Sequence, residues 1–175
     1  MASEKPSAAC MDILWTRRGR SEMKSWPFSK AEWATVSNAA LPVVNSGLAD
    51  DTAARASHLV GLRDVLAQLR ARHGDHPVLL ETEAEFTEDD GERVSLYRRA
   101  VGIAEANGIQ TLTIRLSLSR LLLDMGQPDA AHHELLACEG ELANGDQSDR
   151  ASWAELVAET RHPVHATSNH DCEQE

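Results

Sequence analysis

The chain has 175 residues and a formal net charge of −11, with 42% hydrophobic and 4% aromatic residues. This length suits one ordinary domain with flanking tails. The negative charge argues against nucleic acid and anionic membrane as partners, because both bind a basic protein face. Alanine and leucine supply most of the apolar residues and favour helices, so the composition predicts an all-α protein.

The sequence also predicts the cellular compartment of the protein and the character of its two ends. It has neither an N-terminal charged segment followed by a long apolar run nor about 18 uninterrupted apolar residues anywhere, so we expect no signal peptide and no membrane span. The three scattered cysteines, Cys10, Cys138 and Cys172, form no disulfide framework, and we predict a cytoplasmic protein. We expect residues 1–28 to be a flexible extension, with Met23 as a second candidate translation start, and 162–175 to be a disordered tail.

The first predicted helix begins in "PFSKAEW". Ser29 and Glu32 form a capping-box pattern, in which each side chain satisfies a backbone N–H of the other residue. The pattern predicts a helix over 30–39. Because proline lacks an N–H, we expect Pro42 to end it and "VNSGLADD" to form a loop.

The second predicted helix covers 52–73, with Asp51 as its cap and Gly74 at its end. Its leucines recur at spacings of three and four on one face, at Leu59, Leu62, Leu66 and Leu69. This spacing predicts a helix with one buried side.

Two further helices are expected on either side of the acidic loop "TEDDGE". His76 and Pro77 suit the cap and first turn of a helix that runs to about Phe86. Asp90 can cap the next helix, over 91–107, which Gly108 ends. The short turn predicts an antiparallel hairpin.

The stretch "TLTIRLSLSRLLLDMG" begins with alternating apolar residues, as a strand would. The alternation fails at the three consecutive leucines 121–123, whereas a helix over 111–125 gathers most of the apolar side chains on one stripe. Leu112, Leu116 and Leu123 fall on other faces, so we expect this helix to be buried on more than one side. Helices over 128–143, and from Asp146 or Ser148 through residue 161, complete the domain at 29–161.

The segment "SLSRLLLDMGQPDAAHHELLACEGEL" resembles a tetratricopeptide repeat. The residues that carry the resemblance are Leu118, Ser119, Leu122, Gly126, Ala131, Leu135 and Cys138. The best match runs from Leu112 to Gly145, and "HPVLLETEAEFTEDDGERVSLYRRAVGIAEANG" matches less closely, with Glu81 and Arg93 where the family prefers small residues. The resemblance implies antiparallel hairpins stacked as a short right-handed superhelix of about seven helices and two and a half repeats. The alternative is an irregular helical bundle.

The resemblance implies a non-catalytic scaffold or adaptor that binds a protein or peptide in a groove lined by the first helix of each pair. The implied groove residues are Leu79, Thr82, Thr113, Leu116, Ser117, Arg120 and Asp124. Arg120 can bind a carboxylate of the partner or form a salt bridge with Asp124 one turn away. With fewer than three repeats, the array can also self-associate to cover a terminal face.

A dense acidic run suggests a second mode of binding. It consists of Glu81, Glu83, Glu85, Glu88, Asp89, Asp90 and Glu92. Such runs usually serve solubility, but this one can also dock a basic partner. An immunity or inhibitor protein that covers a basic enzyme is therefore an alternative function.

Histidine-rich elements raise the further alternative of a metal-dependent hydrolase. "AHHELLACE" lacks the two histidines four residues apart that a helical zinc protease needs, since Ala137 stands four residues after His133. The tail carries His162, His165, His170 and Cys172, which can bind zinc only if they converge. Neither a phosphate-binding loop nor a nucleophile elbow occurs in the sequence, so we predict no enzyme activity, cofactor or metal.

Overall fold

The computed structural model describes residues 26–161. Seven α-helices lie in this range, and none of its residues belongs to a strand, so the predicted all-α class is confirmed. The helices are α1 Lys30–Leu48, α2 Thr52–His73, α3 Pro77–Glu85, α4 Asp90–Ala106, α5 Leu112–Asp124, α6 Pro128–Cys138 and α7 Gln147–Arg161, with a 3-10 turn at Glu139–Glu141. The predicted extension up to residue 25 and the tail 162–175 lie outside the described residues.

The bounds predicted for α2 are confirmed at both ends. The Asp51 carboxylate accepts a hydrogen bond from the Ala54 N–H at 2.9 Å. Gly74 ends the helix with a φ of 75°, a left-handed conformation that glycine adopts without steric cost. Strong signals at both termini therefore fix this helix.

The prediction for α1 is wrong beyond residue 39, because the helix continues through Pro42 to Leu48. Val43 and Ser46, just after the proline, are both buried, and the Ser46 hydroxyl donates to the Pro42 carbonyl at 2.7 Å. Burial of the second half of α1 against α2 thus offsets the hydrogen bond that the proline cannot donate.

Three smaller boundaries also differ from the prediction. Asp89, not Asp90, caps α4, and its carboxylate accepts the Glu92 N–H at 2.7 Å. The sixth helix ends at Cys138 instead of Ala143, and the 3-10 turn follows. The packed region begins before Ser29, since Phe28 is buried against α1 and α2.

The helices form three consecutive pairs, α1 with α2, α3 with α4, and α5 with α6, and α7 packs on α5 and α6. Each pair is joined by a short turn, so its helices run antiparallel. Three apolar clusters follow one another along the chain, the first under α1, α2 and the start of α3, the second among α3 to α6, and the third among α5, α6 and α7. No helix in the described range is long and apolar enough to cross a membrane.

Buried positions recur at a constant interval along these pairs. Helices α2, α4 and α6 begin at residues 52, 90 and 128, each 38 residues after the last. The same interval relates buried side chains, as in Leu59, Tyr97 and Leu135, in Leu62, Ala100 and Cys138, and in Leu80, Leu118 and Leu156. At one such position the buried residues are Val43, Glu81, Ser119 and Val157, of which only Glu81 is charged.

The expectation that α5 is buried on more than one side is confirmed. Leu118 and its neighbours on one stripe pack in the second cluster, whereas Leu112 and Leu116 pack in the third. Leu123 is half-buried and contacts both clusters. The surplus leucines that resembled a strand pattern therefore belong to a helix with neighbours on two sides.

Polar contacts join α5 to the elements around it. The Arg115 side chain, 9% exposed, forms ion pairs with Glu134 of α6 and with Glu105 of α4, the latter at 2.6 Å. The first residues of α5 have no side-chain cap of their own. Instead, the Glu141 carboxylate accepts the Thr111 and Leu112 N–H groups at 2.7 and 2.8 Å.

The first pair is joined by a carboxylate near the start of α1. The predicted capping box of Ser29 and Glu32 is present. The other oxygen of the Glu32 carboxylate lies 2.9 Å from both Arg72 Nη1 and His73 Nε2 of α2. The hydrogen bond with His73, and then those from Ser29, lower the pKa of Glu32 from 4.5 to about 2.

Candidate binding groove

A groove of about 390 Å³ opens between α3, α4, α5 and α7. Its walls are formed by Glu81 and Glu85 of α3, Arg93 and Tyr97 of α4, Thr113, Leu116, Ser117 and Arg120 of α5, and Asp149 and Ser152 of α7. Apolar surface from the tyrosine and leucine therefore lies beside carboxylates, guanidinium groups and hydroxyls.

Four of the seven predicted groove residues line this groove, namely Thr113, Leu116, Ser117 and Arg120. They come together because residues at spacings of three and four share one face of α5. Their common face could be read from the sequence, and their placement beside α7 could not.

The other three predicted groove residues lie elsewhere. Leu79 is fully buried in the first apolar cluster, and Thr82 is buried with its hydroxyl donating to the Val78 carbonyl at 2.8 Å. These two positions correct the expectation of exposed residues on α3, because this short helix is covered by the first and second clusters. Asp124 is exposed at the end of α5, outside the groove lining.

The structure explains why Leu116 lies off the main apolar stripe of α5. This side chain is only 8% exposed and packs in the third cluster, which includes Leu156 and Val157 of α7. Its remaining surface lines the groove. Leu116 therefore packs mainly in the cluster that it shares with α7, and only its small exposed surface lines the groove.

The Arg120 guanidinium pairs with α7 and not with the predicted Asp124. Its Nη1 lies 2.5 Å from the Glu159 carboxylate, and its Nη2 lies 3.6 Å from Glu155. The side chain keeps 42% of its surface exposed. Arg120 thus forms part of the groove wall while its charge is already balanced by two carboxylates.

Tyr97 lies at the base of the groove, where it is 3% exposed. Burial, and then the charges of Glu85 and Glu81, raise the pKa of its phenol well above its usual range, against the charge of Arg93 and the hydrogen bond with Ser117. The phenol therefore stays protonated. Glu81 is itself 4% exposed. The sequence marked Glu81 as part of the acidic run and, together with Arg93, as a departure from the tetratricopeptide pattern.

The acidic run does not form one surface. Glu81 and Glu85 face the groove, whereas Glu83 points elsewhere and pairs with Arg70 at 2.5 Å. Helix rotation explains the split, since residues four apart share a face and residues two apart do not. The patch predicted from the sequence is therefore divided, which is a correction.

The later residues of the run lie beside α2 or serve the start of α4. Glu88, Asp89 and Glu92 line a second cavity of about 480 Å³, together with Arg55 and Arg63. Glu88 pairs with Arg55 there. Asp90 pairs with Arg93 at 2.8 Å. Several of these carboxylates thus hold local ion pairs.

The histidine-rich elements were the sequence basis for a metal site. Within residues 26–161, no three or more histidine, cysteine or acidic side chains are grouped so as to hold a metal ion. His132 Nδ1 lies 3.1 Å from the Thr160 hydroxyl, and His133 is exposed. The tail residues His162, His165, His170 and Cys172 lie outside the described residues.

The class that the geometry defines is an all-α protein of consecutive helix pairs with a polar groove on one side. Comparison with models of protein families, with curated proteins and with solved structures found no match to the chain.

Proposed function

We propose that the chain is a tetratricopeptide-like, non-catalytic binding module that holds an extended protein segment in the groove between α3, α4, α5 and α7. The observation that carries this proposal is that Thr113, Leu116, Ser117 and Arg120, on the first helix of the best-matching pair, line one groove. A tetratricopeptide array presents its groove on the first helices of its pairs, as the sequence resemblance implies.

Packing within α5 and α6 supports the assignment to this class. Ser119 and Ala131, the two small residues of the resemblance, are both fully buried where the helices cross. The Ser119 hydroxyl donates to the Ala131 carbonyl at 3.3 Å, so a side chain meets the backbone of the other helix. The 38-residue interval is longer than the roughly 34 residues usual for these repeats, so the proposal rests on packing and not on the period.

The charges of the groove favour a basic residue in the bound segment. Three carboxylates, Glu81, Glu85 and Asp149, line it with two guanidinium groups. Both guanidinium groups also pair with carboxylates outside the lining, Arg93 with Asp90 and Arg120 with Glu155 and Glu159. The neighbourhood therefore carries excess negative charge and attracts lysine or arginine side chains.

Site-specific photo-crosslinking in the native cell tests this proposal. A photoreactive residue at Thr113 is expected to label a partner at a segment that contains lysine or arginine. The same residue at Ala137, exposed on α6 outside the groove lining, serves as the control. Equal labelling from both positions, or none from Thr113, would show that the groove does not bind a protein.

Charge reversal then tests the chemistry of recognition. Glu85→Lys is expected to weaken capture of the labelled partner by about tenfold or more, because it places a cation where the segment brings one. Glu139→Lys changes an exposed carboxylate beyond α6 by the same charge and is expected to leave capture unchanged. If the two variants capture the partner equally, the preference for a basic segment is wrong.

A further inference from the structure

The N-terminal part of this acidic chain contains a short basic segment. Residues 15–20, "WTRRGR", are called the arginine segment here and hold three arginines and no acidic residue. No other four consecutive residues of the sequence contain three basic residues, as 17–20 do. Residues 29–161, by contrast, contain 22 acidic and 12 basic residues. Because opposite charges attract, this difference favours contact between the arginine segment and the domain.

The groove between α3, α4, α5 and α7 carries the charge that complements the arginine segment. Glu81, Glu85 and Asp149 line it. The two guanidinium groups of the lining already pair with carboxylates of the chain, Arg93 with Asp90 and Arg120 with α7. The volume of the groove is about 390 Å³, which suits the side chains of a short segment and not a folded domain.

The side chains of the arginine segment match both kinds of surface in this groove. A guanidinium group binds a carboxylate through two parallel hydrogen bonds, and Glu85 is exposed on α3. Trp15 adds a large flat ring with one polar N–H, which suits the apolar edges of Tyr97 and Leu116 beside hydroxyl groups. The segment can therefore fill the groove with both charged and apolar contacts.

The described part of the chain begins beside the helix that supplies two of these carboxylates. The ring centroid of Trp26 lies 6.2 Å from that of His76, the residue that caps α3. Trp26 packs on the first apolar cluster, to which Val78 of α3 belongs. Val78, Glu81 and Glu85 follow one another at spacings of three and four, so they lie along one side of α3. The chain thus enters next to the side of α3 that leads to the groove.

The length of chain before Trp26 is sufficient to reach the groove. From His76 to Glu85, helix α3 advances by about 14 Å at 1.5 Å per residue. The chain between Arg20 and Trp26 can span roughly 20 Å. A tether of this length gives an effective concentration on the order of millimolar, so even weak contacts hold the segment in place.

We propose that residues 15–20 occupy the groove of their own chain, with arginines at Glu81 and Glu85, and compete there with an external protein segment. This inference rests on the proposed function, because it names a ligand for the same groove. An external segment must displace the arginine segment, which lowers its apparent affinity. The C-terminal tail does not offer the same charge, since residues 162–175 contain three acidic residues and neither lysine nor arginine.

Photo-crosslinking in the purified full-length chain tests the proposal. A photoreactive residue at Thr113 is expected to label residues 15–20, and mass spectrometry identifies the labelled segment. An equal mixture of chains with and without heavy isotopes distinguishes contacts within one chain from contacts between two. The label is expected to join segments of the same isotope composition only, because the segment is tethered to its own groove.

Charge reversal in the arginine segment tests the recognition. Arg17→Glu combined with Arg18→Glu is expected to reduce the internal label by about tenfold or more, because it places carboxylates beside carboxylates. The same double variant is expected to capture the external partner more tightly, since its groove is no longer occupied. Lys5→Glu combined with Lys24→Glu changes the charge equally outside the segment and is expected to leave both measurements unchanged.

Charge reversal in the groove provides a second measurement that leaves the segment intact. Glu85→Lys is expected to reduce the internal label by about tenfold, whereas Glu139→Lys, beyond α6, is expected to leave it unchanged. Equal labelling of these two variants would overturn the proposal. Circular dichroism checks that each variant is helical.

The outcomes separate this proposal from the proposed function. If Thr113 labels a partner in the cell but no internal segment in the purified chain, the proposal is wrong and the proposed function stands. A label that joins heavy to light chains would also overturn the proposal, because a second copy would then be the occupant. An internal label without any partner in the cell would support occupation by the arginine segment and contradict the proposed function.

Discussion

The pairs α3/α4 and α5/α6 have buried residues at matching positions, but they differ in the residues that lie where their two helices cross. Leu80 and Leu118 are fully buried at matching positions, as are Ala100 and Cys138. Next to Leu118, the α5/α6 crossing holds the small residues Ser119 and Ala131. The corresponding residues of α3/α4 are Glu81 and Arg93, and both line the groove.

This difference links a departure from the packing pattern to the candidate site. Two small residues allow α5 and α6 to approach closely and leave the crossing dry. A carboxylate and a guanidinium at the matching place need polar surroundings, which the groove supplies. A helix pair can therefore have charged groove residues where another pair has small buried ones. Its fold is kept as long as the surrounding leucines are kept.

The largest expected effect on stability comes from placing a glutamate, as found at the α3/α4 crossing, at the matching position of the α5/α6 crossing. Ser119→Glu buries a carboxylate at a fully enclosed position of α5/α6 and is expected to lower the free energy of unfolding by about 3 kcal/mol or more. Urea unfolding followed by circular dichroism measures this loss. Ala137→Glu, at an exposed position of α6, is expected to stay within about 0.5 kcal/mol of the wild type. Similar stability of the two variants would show that the α5/α6 crossing is open to solvent.

A smaller effect is expected from the ion pairs that flank the closed crossing. Arg115→Ala leaves the Glu134 carboxylate, 14% exposed, without its cation, and is expected to destabilise the fold by about 2 to 3 kcal/mol. Arg120→Ala removes a guanidinium that is 42% exposed and is expected to cost less than about 1 kcal/mol. Urea unfolding compares the two. Equal losses would contradict the view that burial makes the Arg115 contacts stronger.

The smallest effect concerns the first pair, where α1 and α2 are joined by Glu32. Its pKa is lowered to about 2 in the folded chain, so the contribution of the carboxylate is complete above pH 4.5 and is lost as the pH falls towards 2. The melting temperatures of the wild type and Glu32→Gln are therefore expected to differ at pH 6 and to converge towards pH 2. In a His73→Ala background the difference at pH 6 should shrink. A difference that persists at pH 2 would exclude ionisation of Glu32 as its cause.

The sequence was sufficient to predict the elements whose signals are local. Helix α2 was predicted at its observed bounds because its leucines, its Asp51 cap and Gly74 all lie within or beside it. The two-sided burial of α5 was also predicted, since the surplus leucines left no single stripe. Helix α1 was predicted too short, because its passage through Pro42 depends on burial against α2, which no local pattern of α1 reports.

The groove was only partly predictable for a similar reason. Residues on one face of α5 follow from helical spacing, and four of the predicted residues line one groove in the structure. The contribution of Asp149 and Ser152 depends on how α7 returns across α5, and the partners of Arg120 on α7 lie 35 and 39 residues further along the chain. Contacts between residues so distant in sequence leave no repeating pattern to read.

The start of α5 is capped by the Glu141 carboxylate, which belongs to a part of the chain that is synthesised after α5. The Thr111 and Leu112 N–H groups at the start of this helix find their acceptor about thirty residues downstream. During synthesis, α5 can receive this cap only after α6 and the 3-10 turn have emerged and folded back. The start of α5 is therefore stabilised by its cap only once the end of this pair has closed on its beginning.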